Sequence, residues 1–276
     1  MRRPQYLLSG VALLAILLLA FLPKGVLKKE GTEVAAKQTQ TATETPQNQA
    51  HNKELAPAEQ AKLEQWKTDF AQSQSLETAQ VWADSVAQLY TLAQQLDSAA
   101  AIYDRLATRF PSDSTHLRAA RAYYEGVRFM LQQQTVAQMS EKAQSYYQVF
   151  LEKQDPKSPI ALEAQAELAM TYMRTSTPMK GVALLRQNLE INPKHLTTLE
   201  NLGLLSMESG QYQKAVDYFQ QVCELKPNDL YADFSLASAY AQAGKKELAR
   251  PLLEGIVAKS TDPALINAAK SYLEQF

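Results

Sequence analysis

Pro159, Pro193 and Pro227 stand 34 residues apart from one another. A fixed interval of this length is the mark of stacked supersecondary units, and it decides the architecture before any local propensity does. Proline cannot continue a helical hydrogen-bond ladder, so INPKH and LKPND read as helix ends. Gly is scarce, at 9 residues in 276, and Ala, Leu, Gln, Glu and Lys dominate. These side chains lose little freedom in a helix. No long stretch alternates polar and apolar residues, so the expectation is an all-α chain.

Setting the sequence at the proline interval produces further columns. Leu168, Leu202 and Leu236 coincide, followed by the small residues Ala169, Gly203 and Ala237 and then by Tyr172, Ser206 and Tyr240. A second small column holds Gly181, Ala215 and Ala249, and a large one holds Leu185, Phe219 and Leu253. Small positions let two helices approach, and large ones fill the space between them. The unit Leu196–Asp229 resembles the tetratricopeptide repeat, whose pattern runs W-x2-L-G-x2-Y, A-x3-F, P. Leu202, Gly203, Ala215, Phe219 and Pro227 match it, while Leu199 replaces the tryptophan and Ser206 the tyrosine. The resemblance implies a right-handed α-solenoid of helix-turn-helix repeats.

The clearest repeats fall at 80–113, 162–195, 196–229 and 230–261 within a domain spanning 57–276. In the first of them Val86, Ala87, Tyr90, Ala99, Tyr103 and Pro111 sit at the repeat offsets. Between Pro111 and Pro159 the interval is 48 residues, which predicts a repeat with lengthened helices over Ser114–Gln132 and Gln138–Glu152. Leu63, Trp66 and Phe70 give Pro57–Gln72 one apolar side, and Asp262 followed by Pro263 opens a final helix over 262–275. Both ends read as covers for the hydrophobic faces of a stack.

Ahead of the repeats, a tail of residues 1–5 precedes an uncharged segment from Pro4 to Pro23. The apolar run Tyr6–Leu22 is the expected transmembrane helix, because about 20 helical residues span roughly 30 Å of hydrocarbon. It exceeds the apolar core of a cleaved leader and ends in FLPKG without a small-x-small site, which favours an uncleaved signal anchor. Arg2 and Arg3 face Lys24, Lys28 and Lys29 across it, a nearly balanced pair of flanks. The short N-terminal tail favours a single-pass cytoplasmic-membrane protein with its C-terminal domain in the periplasm. Residues 24–56 hold no aromatic side chain and are expected to be a disordered linker, of about 30 Å reach over its last 27 residues.

Several chemistries find no support. The net charge is −1, without the clustered Lys and Arg that displace counterions from nucleic-acid phosphates. A lone Cys223 allows no disulfide within the chain and reads as an inert thiol in a helix beside Val222 and Leu225. His51, His116 and His195 lack metal-ligand spacing, and no P-loop, GxGxxG or GxSxG occurs. The expectation is a non-catalytic chain with no cofactor and no metal.

The resemblance implies that the first helix of each repeat lines a concave groove that holds partner segments. By offset, that lining includes Met170 and Met173, then Leu204 and Met207, then Tyr231 and Phe234. Methionine suits an adaptable apolar surface. The alternative is that these side chains pack against neighbouring helices or the final helix. A carboxylate clamp is not expected, since only Asn201 stands where one would need its cations and amides. The chain therefore reads as a membrane-anchored scaffold binding other proteins. The competing readings are a homo-oligomeric assembly factor and an ancillary subunit of a secretion or maturation complex.

Overall fold

The computed structural model describes residues 55–129 and 132–276, so the expected anchor, the tail and nearly all of the linker lie outside the described residues. Among the described residues every regular element is a helix, twelve in all: α1 Pro57–Gln72, α2 Leu76–Leu92, α3 Leu96–Arg109, α4 Asp113–Phe129, α5 Gln133–Leu151, α6 Pro159–Met173, α7 Pro178–Ile191, α8 Leu196–Glu208, α9 Tyr212–Leu225, α10 Leu230–Gln242, α11 Lys246–Lys259 and α12 Pro263–Leu273. None of them is long and apolar enough to cross a membrane. The described residues form two compact units, 55–198 and 199–276, divided within α8.

In the first unit, α1 to α7 pack each against the next, and α4 also touches α6. Leu63 and Phe70 of α1 join Ala79, Ala83, Val86 and Leu89 of α2 and Ile102 and Leu106 of α3 in one buried cluster. A second cluster joins Leu117, Tyr123 and Val127 of α4 to Val136, Met139, Tyr147 and Phe150 of α5 and Leu168 of α6. The Arg109 guanidinium, at the end of α3, donates to the carbonyls of Phe70, Ala71 and Ser73. It thereby satisfies acceptors that the end of α1 leaves without helical partners.

In the second unit, α9, α10, α11 and α12 pack in sequence, with α12 also against α10. Leu202 is buried, and Gly203 lies so close to Phe219 that a Cβ there would be 2.6 Å from the ring. Gly203 is thus a contact surface for the phenylalanine of α9. Ala215, Phe219, Leu236 and Leu253 are all buried, so the repeat columns are core positions here, as Leu168 is in the first unit.

Three of the turns inside repeats close in the same way. The amides of Gln95, Gln211 and Lys245 donate to the carbonyls of Tyr90, Ser206 and Tyr240, each at 2.8 Å. The residue before each donor has positive φ: Gln94 (+59°), Gly210 (+73°) and Gly244 (+76°). Glycine adopts this conformation freely, whereas Gln94 meets a steric penalty there.

Two expectations are corrected. Pro193 and Pro227 lie beyond helix ends, but Pro159 is the first residue of α6, behind the Ser158 cap that accepts from Ala161 N. A missing N–H costs nothing at that position, so this proline opens a helix instead of closing one. In the long repeat, α4 ends at Phe129 and α5 already begins at Gln133. Val136, Met139 and Ser140 fall on one buried side of α5, and their burial carries the helix five residues further toward the N-terminus than its weak local propensity suggests.

Candidate protein-binding face

In the first unit, polar side chains stitch the first helices of successive repeats together. Asp84 on α2 accepts from Arg118 on α4 at 2.8 Å and from the Tyr103 hydroxyl on α3 at 2.9 Å. Glu163 on α6 accepts from the Thr197 hydroxyl at 3.0 Å. Both pairs are separated by 34 residues, so each joins one column of neighbouring repeats. Between them, the Arg121 Nε of α4 contacts both carboxylate oxygens of Glu167 on α6, at 3.1 and 3.0 Å, and the Tyr147 hydroxyl donates to the same group at 3.1 Å. Burial raises the Glu167 carboxyl above its ordinary range, and the Arg121 charge and the two donors oppose that rise.

These pairs are partly open to solvent, so each contributes about 0–1 kcal/mol. Their greater effect is to leave the face with few unbalanced charges. Val81, one repeat column ahead of Thr115 and aligned with Glu163, is 57% exposed on α2. Sequence reasoning passed over it because a single valine at a helix start carries no pattern.

His195 closes this series. Its Nδ1 is 2.8 Å from the Thr198 hydroxyl, and its Nε2 is 3.5 Å from Glu163. Asn188 donates to the Leu162 carbonyl and to Thr198 Oγ1. Burial lowers the His195 pKa below its ordinary value, against the pull of Glu163. The unfolded chain therefore takes up a proton first as the pH falls. Stability contributed by neutral His195 is fully present above about pH 6.5 and declines below it until the folded form is itself protonated. Urea midpoints of the wild type should fall between pH 7 and pH 5, and the His195→Gln variant should show a shallower fall; parallel curves would contradict this.

The six side chains expected to line a groove do not share one fate. Met170, Met173, Leu204 and Tyr231 are half-buried. Met207 and Phe234 are each 2% exposed and belong to the core, so neither offers a surface to a partner. On α10 the reason is α12. The Phe234 ring meets Tyr272 edge to face, with centroids 5.8 Å apart, and the Tyr231 hydroxyl donates to Asp262 at 2.7 Å. Asp262 also caps α12 by accepting from Ala264 N at 2.8 Å. Leu265, Ala268 and Ala269 of α12 are buried, and Leu265 alone supplies about 2 kcal/mol of apolar burial. The Ser238 and Tyr272 hydroxyls, however, are buried near one another without a well-formed hydrogen bond.

Cys223 is half-buried, and burial, with Asp233 and Asp229 nearby, pushes its thiol up to about 12. It is a thiol and not a thiolate at neutral pH, which suits packing and not nucleophilic attack. Among the described residues no group of three or more His, Cys, Asp or Glu side chains is placed to hold a metal ion.

Comparison with known proteins agrees with the repeat geometry. The tetratricopeptide repeat family model matches residues 206–273, from the end of α8 through α12. Tetratricopeptide repeat protein 8 of Caenorhabditis elegans is 28% identical over 88 residues, which are 32% of this chain and 17% of that protein. Superkiller complex protein 3 of Homo sapiens is 29% identical over 104 residues, 37% of this chain and 7% of that protein. The chain thus spans less than a fifth of either relative. Among solved structures, PilW, a type IV pilus biogenesis factor, superposes with a TM-score of 0.51 at 13% identity, covering 77% of this chain and 99% of its own. That likeness concerns the fold alone. This chain is thus similar to the tetratricopeptide repeat family over residues 206–273, and the described residues as a whole are built from successive packed helices.

Proposed function

We propose that the chain is a non-catalytic, membrane-anchored scaffold that receives segments of partner proteins on the first-helix face of α2, α4 and α6. Tetratricopeptide repeats mediate protein–protein interaction, and this reading assigns that role to one face of this molecule. The observation that carries it is the exposed Val81 beside the mutually paired Asp84 and Arg118. A strongly charged ligand would have to break that pair, while a neutral segment with an apolar side chain covers Val81 at little electrostatic cost. Half-buried Met170 continues the apolar character on α6.

The uncharged Tyr6–Leu22 segment supports the membrane anchor, and the arginines before it support a periplasmic domain. In this reading the linker places the repeats near the bilayer while leaving them free to turn. The test is crosslinking in the native membrane, comparing wild type with a Val81→Glu, Met170→Glu variant of unchanged helicity. Loss of a specific captured protein from the folded variant is expected, by about tenfold or more, because each carboxylate would be desolvated against an apolar partner. Undiminished capture would remove this face from consideration. Protease accessibility of the repeats in sealed cells then distinguishes the two orientations.

A further inference from the structure

We propose that α12 is an exchangeable cover and that the face of α10 beneath it accepts the α12 of a second copy of this chain, producing a helix-swapped dimer. The inference goes beyond the partner-binding face of the first unit and does not depend on it. Three observations in the second unit carry it. First, α12 has only 11 residues and joins α11 through Ser260, Thr261 and Asp262. Ser260 (φ −74°, ψ 144°) and Asp262 (φ −85°, ψ 112°) are already in extended conformations, so swinging the helix outward requires little backbone rearrangement. Short connections of this kind are where neighbouring copies exchange elements.

Second, the contact contains a flaw. Ser238 on α10 and Tyr272 on α12 bury hydroxyls that lie near one another without a well-formed hydrogen bond, whereas in the open helix both would meet water. An interface with two poorly paired hydroxyls opens more readily than one that is apolar throughout. Third, the face is already shaped for α12 and for nothing else described. Tyr231 answers Asp262, Phe234 answers Tyr272, and the small Ala268 and Ala269 are buried between Leu265 and Tyr272. The occupant that satisfies this face when the resident helix leaves is the same helix from a partner, which brings its own Asp262 and Tyr272.

Hydrogen exchange of the full chain and a labelled peptide of residues 262–276 test this together. The Asp262→Ala substitution removes the cap and the Tyr231 contact from the resident helix only, while the peptide retains both. The α12 amides of this variant should exchange about tenfold faster than in the wild type, with α10 and α11 unchanged. The variant should also bind the peptide about tenfold more tightly. Joint Ser238→Ala and Tyr272→Phe substitution, which removes both poorly paired hydroxyls, should slow α12 exchange by about tenfold. If α10 and α11 open together with α12, or if Asp262→Ala gains no affinity for the peptide, the cover is an integral part of the unit and the inference fails. Partner capture by the first unit is read independently, so either idea can fail alone.

Discussion

Replacing Gly181 by alanine should destabilise the first unit by about 2–3 kcal/mol, although alanine is the better helix former. A Cβ at this position would lie 2.3 Å from the backbone carbonyl oxygen of Ala169 and 3.1 Å from the Met173 sulfur. Methionine can move aside, but the carbonyl belongs to the hydrogen-bonded frame of α6. Relief therefore requires α6 and α7 to separate, which loosens the packing of both. The repeat column makes the contrast sharp, because Ala215 and Ala249 occupy it elsewhere as fully buried residues. Gly255→Ala supplies the opposite control. Nothing lies within 4 Å of a Cβ there, so the gain in helix propensity should stabilise by about 0.5–1 kcal/mol. Urea unfolding of the two variants beside wild type reads both signs. A neutral or stabilising Gly181→Ala would mean that the two helices adjust without cost.

Phe219→Ala should have the largest effect of any single truncation in the second unit, a loss of about 3–5 kcal/mol. The ring is 2% exposed and covers Gly203, where no side chain exists to collapse into the vacated space. Its removal leaves a cavity bounded on one side by bare helix backbone. In calorimetry, melting of the second unit should move down by many degrees or disappear, while the first unit, which does not contain this residue, should retain its own transition. A loss below about 1 kcal/mol would show that α8 and α9 can close over the gap. Gly203→Ala in the same background then has a readable direction. A methyl group 2.6 Å from the native ring clashes in the wild type but partly fills the space left by Phe219→Ala.

Much of the repeat architecture was legible because its constraints are local and recur. A small residue must stand where helices approach, and a large one where they diverge, so Gly203 and Phe219 announce their pairing in the alignment alone. The misreadings share a physical origin. Pro159 fits the proline interval yet starts α6, since proline is compatible with both sides of a helix boundary and spacing does not say which. Gln94 occupies a left-handed turn that Gly210 and Gly244 would have marked, but glutamine carries no such signal.

The binding lining was the least legible part. α10 buries every residue from Phe234 to Tyr240, so its sequence has no polar side against which to identify an open one. Periodicity distinguishes core from solvent only when a helix has both. Whether Phe234 is a lining or a core residue depends on α12, some thirty residues away in sequence, and only the folded contact decides it.

The polar stitches of the first unit have a consequence for how such a chain can grow. Asp84 with Arg118 and Glu163 with Thr197 each join one column of neighbouring repeats, one helical turn apart, and each joint uses different chemistry. Duplicating the first repeat in tandem would set a copy of Asp84 beside the original, carboxylate against carboxylate, where a guanidinium now sits. Deleting the long repeat would set Asp84 opposite Ala166, one helical turn from Glu163, again without a cation from α4. The repeats are alike in backbone but not interchangeable in order, and lengthening or shortening this molecule by whole units requires new side chains at every junction created.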